Sequence, residues 1–478
     1  MTELASISDT QDGDRRYYPR RIYPLDARLL SEEQIAVAFA MTSRRPEAFD
    51  EIAREVSEEK AAGFHERWVL GYGHASVAEH AVVHIAVENI SRLACDGLED
   101  NRLASYTEKS SRYQVIDADC FHTPAELDGY PSLREEYEAT CQHLFGVYQG
   151  LIDASMQYLR GVRAQRSRES DSAYHLRLRR MATDACRSLL PASTLTNVGV
   201  TANARTLEHA ISKLMSSELD EERQLGEAIR EQGRAVTPTL IKYADEVSYL
   251  RQRPQVRKRL ADGLDSLGEQ ERSCADVRLV HWDEQAEEKV VAALLYGSAE
   301  MAYAEAWRQS RAMSAESRQA VIDDFLTGLG PHDAPPRELE TVDYTFEFLL
   351  DYGAYREFRR HRMQTYLPQM LTVFHGVRIP SLITDAELEG QFLEAAGASE
   401  RTYHKLSEEI SKEVAQYVVT HAHKRRLIAN VNLRECYHLF KLRTSQMAHE
   451  SIREPMLEAL RLAREVHPQL FRSLQLRD

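Results

Sequence analysis

Several groups of side chains in this 478-residue chain have the types and spacing that chemistry needs. Arg359-Arg360-His361-Arg362 stand together in DYGAYREFRRHRMQTYL. Guanidinium groups present planar donors that match phosphate oxygens in pairs, so the run reads as a phosphate or pyrophosphate site, or else as a solvated basic helix face. The segment from Arg102 to Tyr113, RLASYTEKSSRY, alternates hydroxyls, a carboxylate and cations. Its arginines and serines suit a phosphate, and Glu108 suits a ribose hydroxyl or a base N–H; a polar turn accounts for the pattern equally well. Two NxRxxxH motifs follow, Asn203/Arg205/His209 and Asn432/Arg434/His438. If each opens a helix, its Arg and His are neighbours on one face, with helix-surface polarity as the alternative. Arg443 comes three turns after Asn432, close to that face, whereas the corresponding residue of the first motif is Leu214.

Other chemistry is poorly served. His80 and His84 have helical spacing, but in EHAVVH rather than HExxH, and His421-Ala-His423 has no acid cluster beside it, so no metal site is expected. There is no phosphate loop of the GxxxxGK[ST] type, no GxGxxG after a strand and no GxSxG elbow. The six cysteines are scattered without a CxxC and read as reduced thiols.

The elements that must position these groups come twice. Asn203-x-Arg205-x-x-x-His209 recurs 229 residues later, and Val236-Thr-Pro238-Thr-Leu240 recurs 230 residues later as Val466-His-Pro468-Gln-Leu470. Upstream, His74 and His332 are 258 apart, and Arg102 and Arg362 are 260 apart. Four matches in one order indicate duplication, with some 31 residues missing from the middle of the second copy. The expected organisation is a polar arm over 1–19, a first domain over 20–245, a charged connection over 246–275 and a second domain over 276–478. Ser31 should cap a helix. GYGHASVAEH (71–80) is loop-like at its glycines, and HAVVHIAVENISRL (80–93) fits helix or strand. Residues 194–219 read as a turn entering a helix, and 220–244 as a further helix.

Composition sets the limits. With 43% hydrophobic and 28% charged residues the chain is ordinary globular protein. Its net charge of -15 argues against a broad grip on nucleic acid. No apolar run approaches the length of about 18 residues that a membrane helix needs. The N-terminus lacks a secretory apolar stretch, so a cytoplasmic location is expected.

Taken together, these segments resemble the flavin-dependent thymidylate synthases, twice over. That family shows a GHxSxxEH-like segment, RHRxxSxxExSxRY, ARxxLP, and NxRxxxH followed by Arg. The first copy has GHASVAEH (73–80), RLASYTEKSSRY (102–113), ACRSLLP (185–191) and NARTLEH (203–209). It departs at Asp100-Asn101, where the family has Arg-His, and at Leu214. The second copy keeps Arg360-His361-Arg362 and NLRECYHLFKLR (432–443). It departs at Met370, Thr372, Val373 and Gln416, and Ala334 replaces the residue matching Ser76.

The resemblance implies an α+β fold in two tandem copies. It also implies bound FAD and conversion of dUMP to dTMP, with methylenetetrahydrofolate as carbon donor and NADPH as reductant. By the same resemblance Glu108, Ser110, Arg112, Arg187 and Arg360 contact the nucleotide. Ser76, Arg102, Glu108, Asn203, Arg205, His209, Arg360, His361, Arg362, Asn432, Arg434 and His438 hold the flavin, and His74 lies on the folate side. Arg443 matches the catalytic arginine that stabilises the uracil ring ionised at N3. The losses in the two copies are complementary, which predicts one composite site per pairing of a first copy with a second. Two chains would then form a pseudo-tetramer. The alternatives are a degenerate flavin- or nucleotide-binding homologue, C5 modification of another pyrimidine nucleotide, or a fold kept with both pockets empty.

Overall fold

The structure, a computed structural model, describes residues 20–73, 75–262 and 275–477. The expected arm (1–19), His74 and the last part of the expected connection lie outside the described residues. The chain divides into two compact units. One holds the described residues up to Val83 with Asn203–Arg205 and Arg234–Lys242; the other holds His84–Ala202, Thr206–Gly233 and Tyr243 to the C-terminus. Among the described residues no helix is long and apolar enough to cross a membrane.

In the first unit, helix α1 (Glu32–Met41) starts where Ser31 predicts. The Ser31 hydroxyl accepts from the Gln34 N–H while the Gln34 side chain accepts from the Ser31 N–H, a reciprocal cap that satisfies two otherwise unpaired donors. Val37 and Ala38 pack on Ile52, Ala53, Val56 and Ala61. The buried Glu33 carboxylate accepts the backbone N–H groups of Thr239 and Leu240 at 2.7 and 3.1 Å, which ties the returning segment 234–242 to α1.

The second unit carries the sheets. β1 (Val82–Ser91), β2 (Ala104–Glu108) and β3 (Leu195–Asn203) lie in the order β1-β3-β2. β4 (Val277–Trp282), β5 (Asp343–Asp351), β6 (Thr365–Pro368) and β7 (Lys424–Asn432) lie in the order β4-β5-β7-β6, antiparallel throughout. Setting the edge strand β4 aside, the order β5-β7-β6 repeats β1-β3-β2. Each repeat also passes from its first strand straight into a short helix, α2 (Arg92–Glu99) capped by Ser91 and α8 (Tyr352–Phe358) capped by Asp351. Between them come α3 (Pro131–Val162), α4 (Asp171–Cys186), α5 (Ala204–Met215), α6 (Asp220–Val236) and α7 (Ser248–Asp262); α9 (Glu389–Glu409), α10 (Leu433–Arg443) and α11 (Glu450–Val466) follow α8.

One expectation changes. Residues 195–203 form a strand before α5 rather than a turn: Thr196, Val198, Val200 and Ala202 are buried in alternation, the period-two pattern of a strand with one face covered. Ser248–Asp262, in the charged stretch read as a connection, is helical. The ambiguity over 80–93 resolves as strand to Ser91 and helix from Arg92.

The second unit has one main apolar core, and both halves of the sequence supply it. Leu93, Leu133, Tyr137 and Leu219 cluster with Tyr344, Phe346, Phe348, Tyr437 and Phe440. Burying each such side chain contributes about 1.5–3 kcal/mol, so the sequence halves are held to one another by the hydrophobic effect before any charge is counted.

Candidate active site

Helices α2 and α8 face each other through buried charge. Arg356 bonds Asp96 Oδ1 and Glu108 Oε1, each at 2.6 Å. Arg92 reaches the same Glu108 oxygen at 2.8 Å, Thr196 donates to it at 3.0 Å, and Arg359 meets Asp96 at 2.6 Å. Burial pushes the Glu108 carboxyl up, but the Arg356 and Arg92 charges outweigh it and hold the group well below the usual carboxylate range. The basic run is therefore not a solvated helix face. Arg359 and His361 are buried, Arg360 is 54% exposed with Nη2 3.9 Å from Glu108 Oε2, and Arg362 lies over the Tyr106 ring.

Beside this network, guanidinium groups from both halves converge on two carboxylates. Arg112 makes a bidentate pair with Asp184, at 2.9 and 2.8 Å. Arg187 bonds Asp184 at 2.9 Å and reaches Glu357 Oε1 at 3.5 Å. Arg443, the last residue of α10, donates Nη1 to Glu357 Oε2 and Nη2 to the Glu357 carbonyl, both at 3.0 Å. Its Nε donates to His361 Nε2 at 3.0 Å, and His361 Nδ1 lies 3.0 Å from Glu435 Oε1. Burial lowers the Arg443 pKa; Glu357 opposes the shift, while Arg360 and Arg112 add to it. Three guanidinium groups against two carboxylates, with Arg360 adjoining, leave a cationic surplus suited to an anionic ligand.

On the other side of His361 lies a cavity of about 310 Å³. Asn432, Arg434, Glu435, His438, Lys441 and Arg477 line it, with His332 and Met363. Asn432 caps α10 by accepting the Glu435 N–H at 2.8 Å, which sets Arg434 and His438 on successive turns. Burial pushes the Glu435 carboxyl up to about 7, against the Arg434 and His438 charges. Burial and the Arg443 charge pull His361 down to about 3. The ligand atoms of His361, Glu435 and His438 lie within 4.8 Å of one another, as close as a metal site requires. Arg443 and Glu435 already satisfy both nitrogens of His361, so the group is complete as a hydrogen-bonded chain.

The remaining expected residues have the following places and partners. Ser76, Asn203 and Arg205 belong to the first unit, where Ser76 is exposed and Arg205 pairs with Glu79. His74 lies outside the described residues. In the second unit Arg102 donates to Thr365 at 3.0 Å, Ser110 accepts the Arg112 N–H at 3.3 Å, and His209 is on α5 with its pKa lowered by burial and Lys213. The departures from the family pattern have structural employment: Asp100 holds Lys213 at 2.9 Å, and Gln416 accepts the Leu371 N–H at 3.2 Å. Leu214 is fully buried. Sequence reasoning missed Arg92, Asp96, Asp184, Arg356, Glu357 and Glu435. The signal for Glu435 was present, an acid at the third helical position inside NxRxxxH, and so was Asp184, one helical turn before Arg187.

The chain matches the family described as "Thymidylate synthase complementing protein", Thy1, over residues 26–239 and again over 278–469. The chain belongs to the Thy1 family. Its relatives include a UPF0159 protein of Chlamydia muridarum, 30% identical over 87% of this chain and 80% of that one. A UPF0159 protein of Thermoplasma acidophilum is 28% identical over 90% and 93%. A flavin-dependent thymidylate synthase of Thermococcus onnurineus is 29% identical over 34% of this chain and 56% of its own length. Thy1 membership thus covers both halves, and the α+β architecture carries it twice.

Proposed function

We propose that the chain is a flavin-dependent thymidylate synthase, methylating dUMP at C5 to dTMP with methylenetetrahydrofolate and NADPH in a composite site. The reading takes the chain as two copies, 20–245 and 276–478, and as a cytoplasmic protein that pairs into a homodimeric pseudo-tetramer and binds neither nucleic acid nor membrane. One observation carries it: Arg112 and Arg187 from the first copy meet Arg443 from the second around Asp184 and Glu357.

Arg112, Arg187 and Ser110 would hold the nucleotide phosphate, with Arg443 beneath the base. Methylene transfer needs electron density at uracil C5, and loss of the N3 proton supplies it. A fixed guanidinium that stabilises the resulting anion is worth roughly 3 to 4 kcal/mol. Glu108 spends Oε1 on Arg92 and Arg356, so only Oε2, toward Arg360, is left for a ligand.

The residues fit a flavin. The cavity beside His361 sets Arg434, Lys441 and Arg477 among the acids Asp333, Glu340 and Glu435, with Arg434 paired to Glu340, and the buried Nε of Arg477 has no partner there, a donor suited to a pyrophosphate or ring oxygen. Asn432, Arg434, His438 and Arg477 would hold the cofactor, with His361 between it and Arg443. When bound, the flavin supplies the two electrons, drawn from NADPH as hydride, that turn the transferred methylene into methyl.

A second reading is binding without turnover. It is favoured by Asp184 and Glu357, which already occupy hydrogen-bonding positions of the arginines that a substrate must engage. The purified full-length protein decides between them: dTMP formation with dUMP-stimulated NADPH oxidation supports the synthase, and retained flavin without dTMP supports the second reading. If Arg112→Ala and Arg443→Ala both stay fully active in a turning-over enzyme, the composite site is wrong.

A further inference from the structure

His361 has two hydrogen-bonding nitrogens and two partners, and the chemistry of the partners dictates where its proton sits. Arginine has no acceptor atom. Arg443 Nε, 3.0 Å from His361 Nε2, can only donate, so Nε2 carries no hydrogen. The ring is then neutral with its proton on Nδ1, which donates to Glu435 Oε1 at 3.0 Å. This is the opposite of the tautomer that a free imidazole prefers. It is sustained by burial: the side chains of His361 and Glu435 are 2% and 7% exposed, so the bond between them is little open to water. The backbone fixes both ends. Glu435 is held at the third position of α10 by the Asn432 cap, and the His361 N–H donates to the Phe358 carbonyl at the end of α8.

We propose that Glu435 is a positioning residue: by holding His361 in the Nδ1–H form it makes Nε2 an acceptor, and that acceptor aims the Arg443 guanidinium at Glu357 and the clamp formed by Arg187, Asp184 and Arg112. The importance of that aim rests on the reading of Arg443 as the base-facing arginine; the tautomer itself does not. The chain runs unbroken from Glu435 through His361, Arg443, Glu357, Arg187 and Asp184 to Arg112, joining the cavity wall to the far end of the clamp. Without Glu435 the imidazole reverts to Nε2–H, two donors face each other, and Arg443 swings away from Glu357. The low proton affinity of His361 agrees with a buried ring set against the Arg443 guanidinium. Loss of tautomer control through a histidine's carboxylate partner can cost about 10⁴-fold in rate in a hydrolase triad, so small geometry at such a site has large effect.

The test is ¹⁵N–¹H NMR of the full chain labelled at histidine, with His361 assigned by His361→Asn. In the unaltered protein the expected signature is neutral His361 protonated at Nδ1. Glu435→Gln keeps an acceptor oxygen and should keep that signature; Glu435→Ala should shift it to Nε2–H. In an active enzyme, Glu435→Ala should lower kcat at least about tenfold with a smaller change in KM, and Glu435→Gln should restore most of the rate. An Nε2–H ring in the unaltered protein overturns the proposal, as does an unchanged Nδ1–H ring in Glu435→Ala. The expected spectra in a protein that makes no dTMP would leave the tautomer assignment standing and count against the synthase reading alone.

Discussion

The residues that decide this site do so through partners, and the partners are where sequence reading stopped. Arg443 was legible from NxRxxxH and its spacing to Asn432; the three bonds that aim it, to His361, Glu357 Oε2 and the Glu357 carbonyl, were not, because they join segments some 80 residues apart. On the proposed synthase function, Arg443→Ala should cut turnover by about 10²–10³-fold, read as kcat for dTMP formation. Arg356→Ala tests the buried network instead. It leaves Asp96 and Glu108 short of a charge in a dry environment, which should cost about 3–5 kcal/mol, read from the shift of a denaturant midpoint. Glu222 gives a pH-dependent counterpart. Burial pushes its carboxyl up to about 7 from an ordinary 4.5, so the folded state prefers it protonated. The stability tied to that proton is full below pH 4.5 and is lost as pH rises through 7. Glu222→Gln should therefore raise stability by about 2–3 kcal/mol at pH 8 and by little at pH 4, checked by denaturation at both.

At the level of elements, local rules worked where they were local. Ser31 capping α1 and Asn432 capping α10 follow from side chains reaching the nearest backbone donors. Asn432→Ala should cost about 1 kcal/mol through the lost cap, visible as a lowered melting temperature, and should loosen the helix that delivers Glu435 and Arg443. Strand β3 was misread as a turn because TLTNVGVTAN holds Asn and Gly among its β-branched residues. Pairing with β2 overrides those weak local preferences, setting Gly199 opposite Thr107. The repeat of strand order, β1-β3-β2 and β5-β7-β6, was foreshadowed by the recurring motifs, whereas β4 on the edge had no counterpart to reveal it.

For the molecule as a whole, the recurrence of motifs was readable and the interleaving was not. Motif order places two copies along the chain, but the main core mixes their side chains, and the charge cluster ties Arg92, Asp96 and Glu108 to Arg356 and Arg359. Fragments 1–262 and 275–478 produced separately should therefore aggregate or stay expanded, and refolded together should form a compact heterodimer, as size-exclusion chromatography and circular dichroism will show. Two separately compact monomers would contradict this packing. Leu214 extends the point to the difference between the halves. It is buried on α5 at the place where α10 has Arg443, and Gly226 of α6 comes so near that a methyl group added there would lie 3.0 Å from Leu214 Cβ. An arginine placed at 214 would meet close-packed hydrocarbon, where an uncompensated charge is costly. One substitution cannot give α5 what α10 has in Arg443: the close approach of α6 would have to open first, so the unlikeness of the two helices at this place is held by packing.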